Sequence, residues 1–112
     1  MASHVSVTPR CPIRTTLELL GGKWRLLIIH QIGEQTVRFG ELKRLLPDIS
    51  EKMLVQELKT LVDNDLVIRR SYGEVPPRVD YRLTERGQKV LPLIDHLRAF
   101  GEEYVRSELT IR

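Results

Sequence analysis

A mainly α-helical domain carrying one small β-hairpin is the fold the sequence predicts, and three observations predict it. Apolar residues recur at i, i+4 and i+7 from Pro12 to Asn64, the spacing of buried helical stripes. Between Leu66 and Leu83 the period falls to two, which is the spacing of strands. Helical spacing then returns after Thr84 and continues toward the C-terminus.

The elements follow in order. Residues 1–10 are polar and end in Thr8, Pro9 and Arg10, a flexible tail ahead of one domain spanning 11–112. Pro12 suits the first helical position, where its missing N–H costs nothing. Ile13, Leu17 and Leu20 form a stripe that is expected to be buried, and Gly21-Gly22 stops the helix. A second helix starts near Lys23 with Trp24, Leu27, Ile28 and Ile32 inward and ends at Gly33. A third runs from Phe39 to Leu46, burying Phe39, Leu42 and Leu45 or Leu46, and Pro47 closes it. After a tight turn, Ser50 caps a fourth helix, Glu51 to about Asn64, whose core stripe is Leu54, Leu58 and Leu61.

Two alternating runs, Leu66 to Tyr72 and Val79 to Leu83, are joined by Gly73 to Pro77 and make the hairpin. Thr84 opens the last helical region, which Pro92 should kink or divide because it removes a backbone bond and clashes one turn back.

Composition narrows the classes. The chain has 112 residues, 41% hydrophobic and 29% charged, which is enough for one core and unlike a disordered chain. The net charge of +3 permits a nucleic-acid partner without arguing for one. A single cysteine excludes an internal disulfide framework and a CxxC zinc site. No run approaches bilayer length, and the N-terminus lacks the apolar block of a secretory signal, so a cytoplasmic protein without membrane contact is expected. An enzyme is not expected. His4, His30 and His96 have no ligand spacing, and His30 is read as packed in the second helix. No GxSxG, HExxH or phosphate-loop pattern occurs, and neither a cofactor nor a metal is called for.

Two short helices joined by a tight turn and followed by a hairpin describe a winged helix-turn-helix. The DNA major groove admits one helix, whose N-terminal side chains reach base edges while the preceding helix braces it. Ser50, Lys52, Gln56 and Lys59 on the fourth helix offer hydroxyl, amide and ammonium groups. Met53 offers a methyl contact to thymine, or else packs in the core. The hairpin would be the wing, with Arg69, Arg70, Arg78 and Arg82 on its strands and Pro76-Pro77 presenting Arg78 from an extended tip. Arg38, before the third helix, completes the DNA-facing set. Charge does not decide the matter: between Arg38 and Arg78 eight basic residues face seven acidic ones. The order of elements decides it. A winged helix used only for protein contacts, or for RNA, is the competing reading.

Cys11 precedes Pro12 at the expected N-cap, between Arg10 and Arg14, where partial positive charge favours thiolate. A reactive thiol and an inert packed one both fit these residues.

Several stretches resemble the HxlR-type branch of MarR-like winged-helix regulators. They are CPIRTTLELLGGKWRLLII (Cys11 to Ile29), RFGELKRLLPDISEKMLVQELKTLVDNDLVIR (Arg38 to Arg69), PPRVDYRLTERG (Pro76 to Gly87) and FGEEY (Phe100 to Tyr104). The resemblance covers about residues 11–105. It implies a homodimeric bacterial transcription factor on a palindromic operator of double-stranded DNA, with the helix after Ile49 as recognition helix and the hairpin as wing. It also implies a redox or electrophile-sensing role for Cys11, as in several members; no small-molecule effector is specified. In place of the usual acidic-Gly pair before the wing stands Asn64-Asp65, with Asn64 expected to supply the left-handed conformation. Dimerisation also has support in the residues, because the last helical region has more apolar positions than one stripe, running from Val90 to Leu109. Leu93, Leu97, Phe100 and Tyr104 are its expected contacts.

Overall fold

The computed structural model describes residues 11–111, with the side chains of 109–111 excepted. The expected tail at 1–10, His4 and the side chain of Leu109 therefore lie outside the described residues. The order is α1 (Pro12–Leu20), α2 (Arg25–Ile32), β1 (Val37–Arg38), α3 (Phe39–Leu45), α4 (Glu51–Asp63), β2 (Val67–Ser71), β3 (Val79–Leu83), α5 (Glu85–Gln88) and α6 (Leu91–Ile111).

α2 is the centre of the core because three isoleucines on it, Ile28, Ile29 and Ile32, are all fully buried. Leu42 and Leu46 reach it from the α3 segment, Leu54, Leu58 and Leu61 from α4, and Val67, Tyr81 and Leu83 from the sheet. Ile49, in the turn between α3 and α4, is buried too and pins that turn to the core. α2 ends where Gly33 turns left-handed at φ 57°, a conformation glycine adopts without strain.

The expected hairpin belongs to a three-stranded antiparallel sheet in the order β1-β3-β2. β1 is only two residues long, too short for an alternation to register in the sequence; it pairs Val37 with Tyr81 and Arg38 with Asp80. In the hairpin itself Ile68 faces Arg82, Arg69 faces Tyr81 and Arg70 faces Asp80.

Several local expectations change. The α1 stripe is not buried: Ile13 is 59% and Leu17 is 64% exposed, and only Leu20 enters the core. Helical spacing reports that a face is apolar; it does not report whether this chain covers it. Leu27 is likewise exposed, with Ile29 buried in its stead, while of the expected alternatives Leu45 and Leu46 it is Leu46 that is buried. The left-handed residue after α4 is Asp65 at φ 61°, whereas Asn64 keeps φ −93°. Asp65 N–H donates to the Val62 carbonyl and Leu66 N–H to that of Leu61, a Schellman closure that puts the strained position one residue later than expected.

Thr84 organises the next junction. Its hydroxyl accepts from Gly87 N–H (2.9 Å) and donates to the Asp65 carbonyl (2.7 Å). Gly87 lies against the Leu66 carbonyl so closely that a Cβ would overlap that oxygen. Pro92 divides the last helical region rather than kinking it: it is the second residue of α6, where a missing N–H is tolerated.

Candidate nucleic-acid interface

α4 buries Leu54, Leu58 and Leu61, so at 100° per residue Lys52, Gln56, Lys59 and Asp63 must point away from the body. They are exposed, as are Ser50 and Met53. The Ser50 hydroxyl accepts from Met53 N–H at 3.1 Å, which fixes where the helix begins. Exposure of Met53 removes its core alternative. Lys59 pairs with Asp63 at 3.2 Å, but both are open to solvent and such a pair is worth little. Lys59 can exchange Asp63 for another anion.

A groove of about 470 Å³ separates α4 from the sheet, lined among others by Arg38, Phe39, Glu51, Val55, Arg69 and Arg78. Three arginines and one glutamate therefore contribute atoms to the lining of the cleft. Glu51 and Val55 were not among the expected residues, whereas Arg69 was expected on the wing. Arg69 lies opposite Tyr81 on the α4 side of the sheet, whereas Arg70, opposite Asp80, lies on the outward side. The alternation within residues 66–72 already sets these two arginines on opposite faces of the strand.

Arg78 departs from its expected presentation at the tip. It is half-buried, its guanidinium stacks 4.0 Å from the Tyr72 ring, and its Nη2 lies 3.4 Å from Asp80 Oδ2. Glu74 is a weaker partner at 4.0 Å. Hydrogen bonding to Asp80 holds the Arg78 guanidinium above its usual range. Burial opposes ionisation of Asp80, yet the polar contacts of Tyr72 and Arg78, with the charges of Arg78 and Arg38, outweigh it and hold the carboxyl below the usual carboxylate range.

Cys11 occupies the N-cap of α1 at φ −59°, ψ 129°, with no capping hydrogen bond, and is 3% exposed. The thiol is packed in this conformation. Beyond it lies an apolar groove of about 420 Å³, bordered by Ile13, Leu17, Leu20, Leu26, Leu93 and Leu97. Further along α6, Phe100 and Tyr104 are exposed and stack on each other at 6.4 Å between centroids. The structure thus brings Leu93 and Leu97 together with α1, and leaves all four expected contact residues exposed. His30 is exposed and lies 3.4 Å from the Arg98 guanidinium, not packed in the core, because it falls on the solvent side of α2.

One side chain ties this region to α4. Arg25 Nη1 donates to the carbonyls of Glu18 (2.8 Å) and Leu19 (3.2 Å), and its Nε lies 3.2 Å from Glu57 Oε2. Among the described residues, no cluster of three or more His, Cys, Asp or Glu could hold a metal, and no helix is long and apolar enough to cross a membrane.

Comparison with known proteins places this geometry. The HxlR-like helix-turn-helix description matches residues 19–109. The chain is 38% identical over 94 residues to the HTH-type transcriptional regulator YdeP of Bacillus subtilis, itself uncharacterized, covering 84% of this chain and 73% of YdeP. A transcriptional regulator of the MarR family from Porphyromonas gingivalis W83 is similar in structure, with a TM-score of 0.85 and 51% identity over 88% of this chain and 96% of that one. The reduced form of the redox regulator HypR gives a TM-score of 0.81 and 34% identity over 90% of this chain and 99% of that one.

Proposed function

The chain belongs to the HxlR-like helix-turn-helix family, and from that premise we propose that it regulates transcription by binding a palindromic operator as a homodimer. The observation that carries the reading is the outward face of α4: Ser50, Lys52, Gln56 and Lys59 stand clear of the body while Leu54, Leu58 and Leu61 anchor the helix behind them. Gln56 has the donor and acceptor to pair with adenine, and Lys52 reaches guanine or phosphate. Met53 offers its methyl group to thymine. Arg38, Arg70 and Arg78 neutralise backbone phosphates from the sheet side. Leu93, Leu97, Phe100 and Tyr104 form the twofold contact, which sets the two reading helices one DNA turn apart, roughly 34 Å.

Residues 11–112 act as one domain, in the cytoplasm. Cys11 is the site of a thiol switch. Two features support this: HypR, a redox regulator with both oxidised and reduced forms among the similar structures, and the position of Cys11 at the helix N-terminus. Because the thiol is buried, the switch requires the start of α1 to open before an oxidant can reach it.

The test is selection of bound duplexes from a random library, followed by titration of the recovered operator at rising salt. A palindromic consensus and a steep loss of affinity with salt are expected. Gln56→Ala should cost about 1–3 kcal/mol at the operator and little elsewhere, whereas Arg78→Ala should weaken binding to every duplex. A flat salt response, or equal losses on all sequences for Gln56→Ala, would overturn the groove assignment.

A further inference from the structure

The outward face of the sheet holds one buried acid among arginines. β3 is the central strand, so Asp80 has a neighbour on each side, Arg38 on β1 and Arg70 on β2. Directly opposed residues of antiparallel strands point to the same side, so these three side chains share a face. Arg78 joins them, with Nη2 3.4 Å from Asp80 Oδ2. Tyr72 covers the group, its ring 4.0 Å from the Arg78 guanidinium and 4.9 Å from that of Arg70.

Asp80 is only 4% exposed, and its Oδ1, like Arg78 Nε, is buried without a hydrogen-bond partner. A carboxylate withdrawn from water is costly, and as a purely structural element a well-packed apolar residue would serve as well. The carboxylate instead resolves a conflict of charge. Arginines on adjacent strands repel one another, and a single anion between them reduces that repulsion and fixes the direction of each.

We propose, on the reading that this sheet faces DNA, that Asp80 is a positioning residue which gathers Arg38, Arg70 and Arg78 into one plate set against successive phosphates. The plate carries three positive charges around one negative, so it stays attractive to a polyanion while its geometry is held. The prediction runs against simple charge counting. Replacing Asp80 by Asn raises the net charge by one, which alone would tighten binding to DNA. If Asp80 positions the arginines, binding weakens instead.

The experiment measures wild-type protein, Asp80→Asn, Asp80→Glu, Arg78→Ala and the Asp80→Asn/Arg78→Ala double variant on the selected operator duplex across a series of KCl concentrations. Asp80→Asn is expected to bind about tenfold more weakly, with a salt slope shallower by about one. In the Arg78→Ala background the same change is expected to cost less than about twofold, because the group it organises is already incomplete. Asp80→Glu, which keeps the charge, is expected to keep the wild-type slope. Equal or tighter binding by Asp80→Asn would overturn the proposal, and so would an equal loss in both backgrounds. Should Asp80→Asn lose its cooperative melt, Asp80→Glu decides: a wild-type slope supports the proposal and a shallower one overturns it. Failure of wild-type protein to bind any duplex would instead overturn the operator reading itself.

Discussion

Phe100→Ala is the sharpest test of the twofold contact. Phe100 is 70% exposed in the single chain, and an aromatic side chain buries about 150–250 Å² when fully covered, so about 105–175 Å² remains to be covered by a partner. At about 25 cal/mol per Å² that corresponds to about 3–4 kcal/mol per protomer as an upper bound. The contact is isologous, so each dimer loses it twice. Part of the ring already leans on Tyr104, and no interface covers its whole exposed area, so about half of the doubled figure, about 3–4 kcal/mol in total, is the expected loss. This is a factor of about 150–900 in the dimer dissociation constant. Sedimentation equilibrium reads it directly, with thermal melting at high concentration as the control for folding. A dissociation constant within threefold of wild type would refute the assignment of α6 as the contact and leave its apolar surface unexplained.

Gly87→Ala should destabilise the protein by about 1–3 kcal/mol in urea titration, because the new methyl collides with the Leu66 carbonyl and neither backbone can move away freely. Asp80 has a depressed folded pKa, so the stability its ionisation supplies is fully present above the unfolded value of about 3.9 and is lost as pH falls through the folded value. The urea midpoint should therefore fall below about pH 4 in wild type and fall less in Asp80→Asn; matching acid limbs would refute the linkage. Diamide or a quinone should change operator binding or give a linked dimer on non-reducing gels, and Cys11→Ser should abolish that response. The same response in Cys11→Ser would remove the thiol from the mechanism.

How far the residues announce this fold differs by element. α4 was fully legible, because a strong cap at Ser50 and a stripe of Leu54, Leu58 and Leu61 leave one orientation, and with it the outward set from Lys52 to Lys59. The hairpin strands were legible by alternation, but β1 was not, since two residues cannot display a period. Missing β1 hid the partner of Asp80 on one side, so nothing in the alternation of Val79 to Leu83 marked that acid as buried. The α1 stripe failed for another reason. Ile13 and Leu17 are apolar as burial would require, but among the described residues no part of the core covers them. Arg78 failed because Tyr72 and Asp80 draw it inward, a tertiary contact that two prolines at the tip do not foretell.

Arg25 has a mechanical consequence. One guanidinium grips the last carbonyls of α1 and, through Glu57, the side of α4, with both charged side chains mostly shielded from solvent. It is a strut between the helix that starts at the cysteine and the helix that would enter the groove. A rotation of α1 that leaves the strut intact must be shared by α4, and one that α4 does not follow must break the strut at one end. Shortening it, as Arg25→Ala does, should let the two helices shift separately.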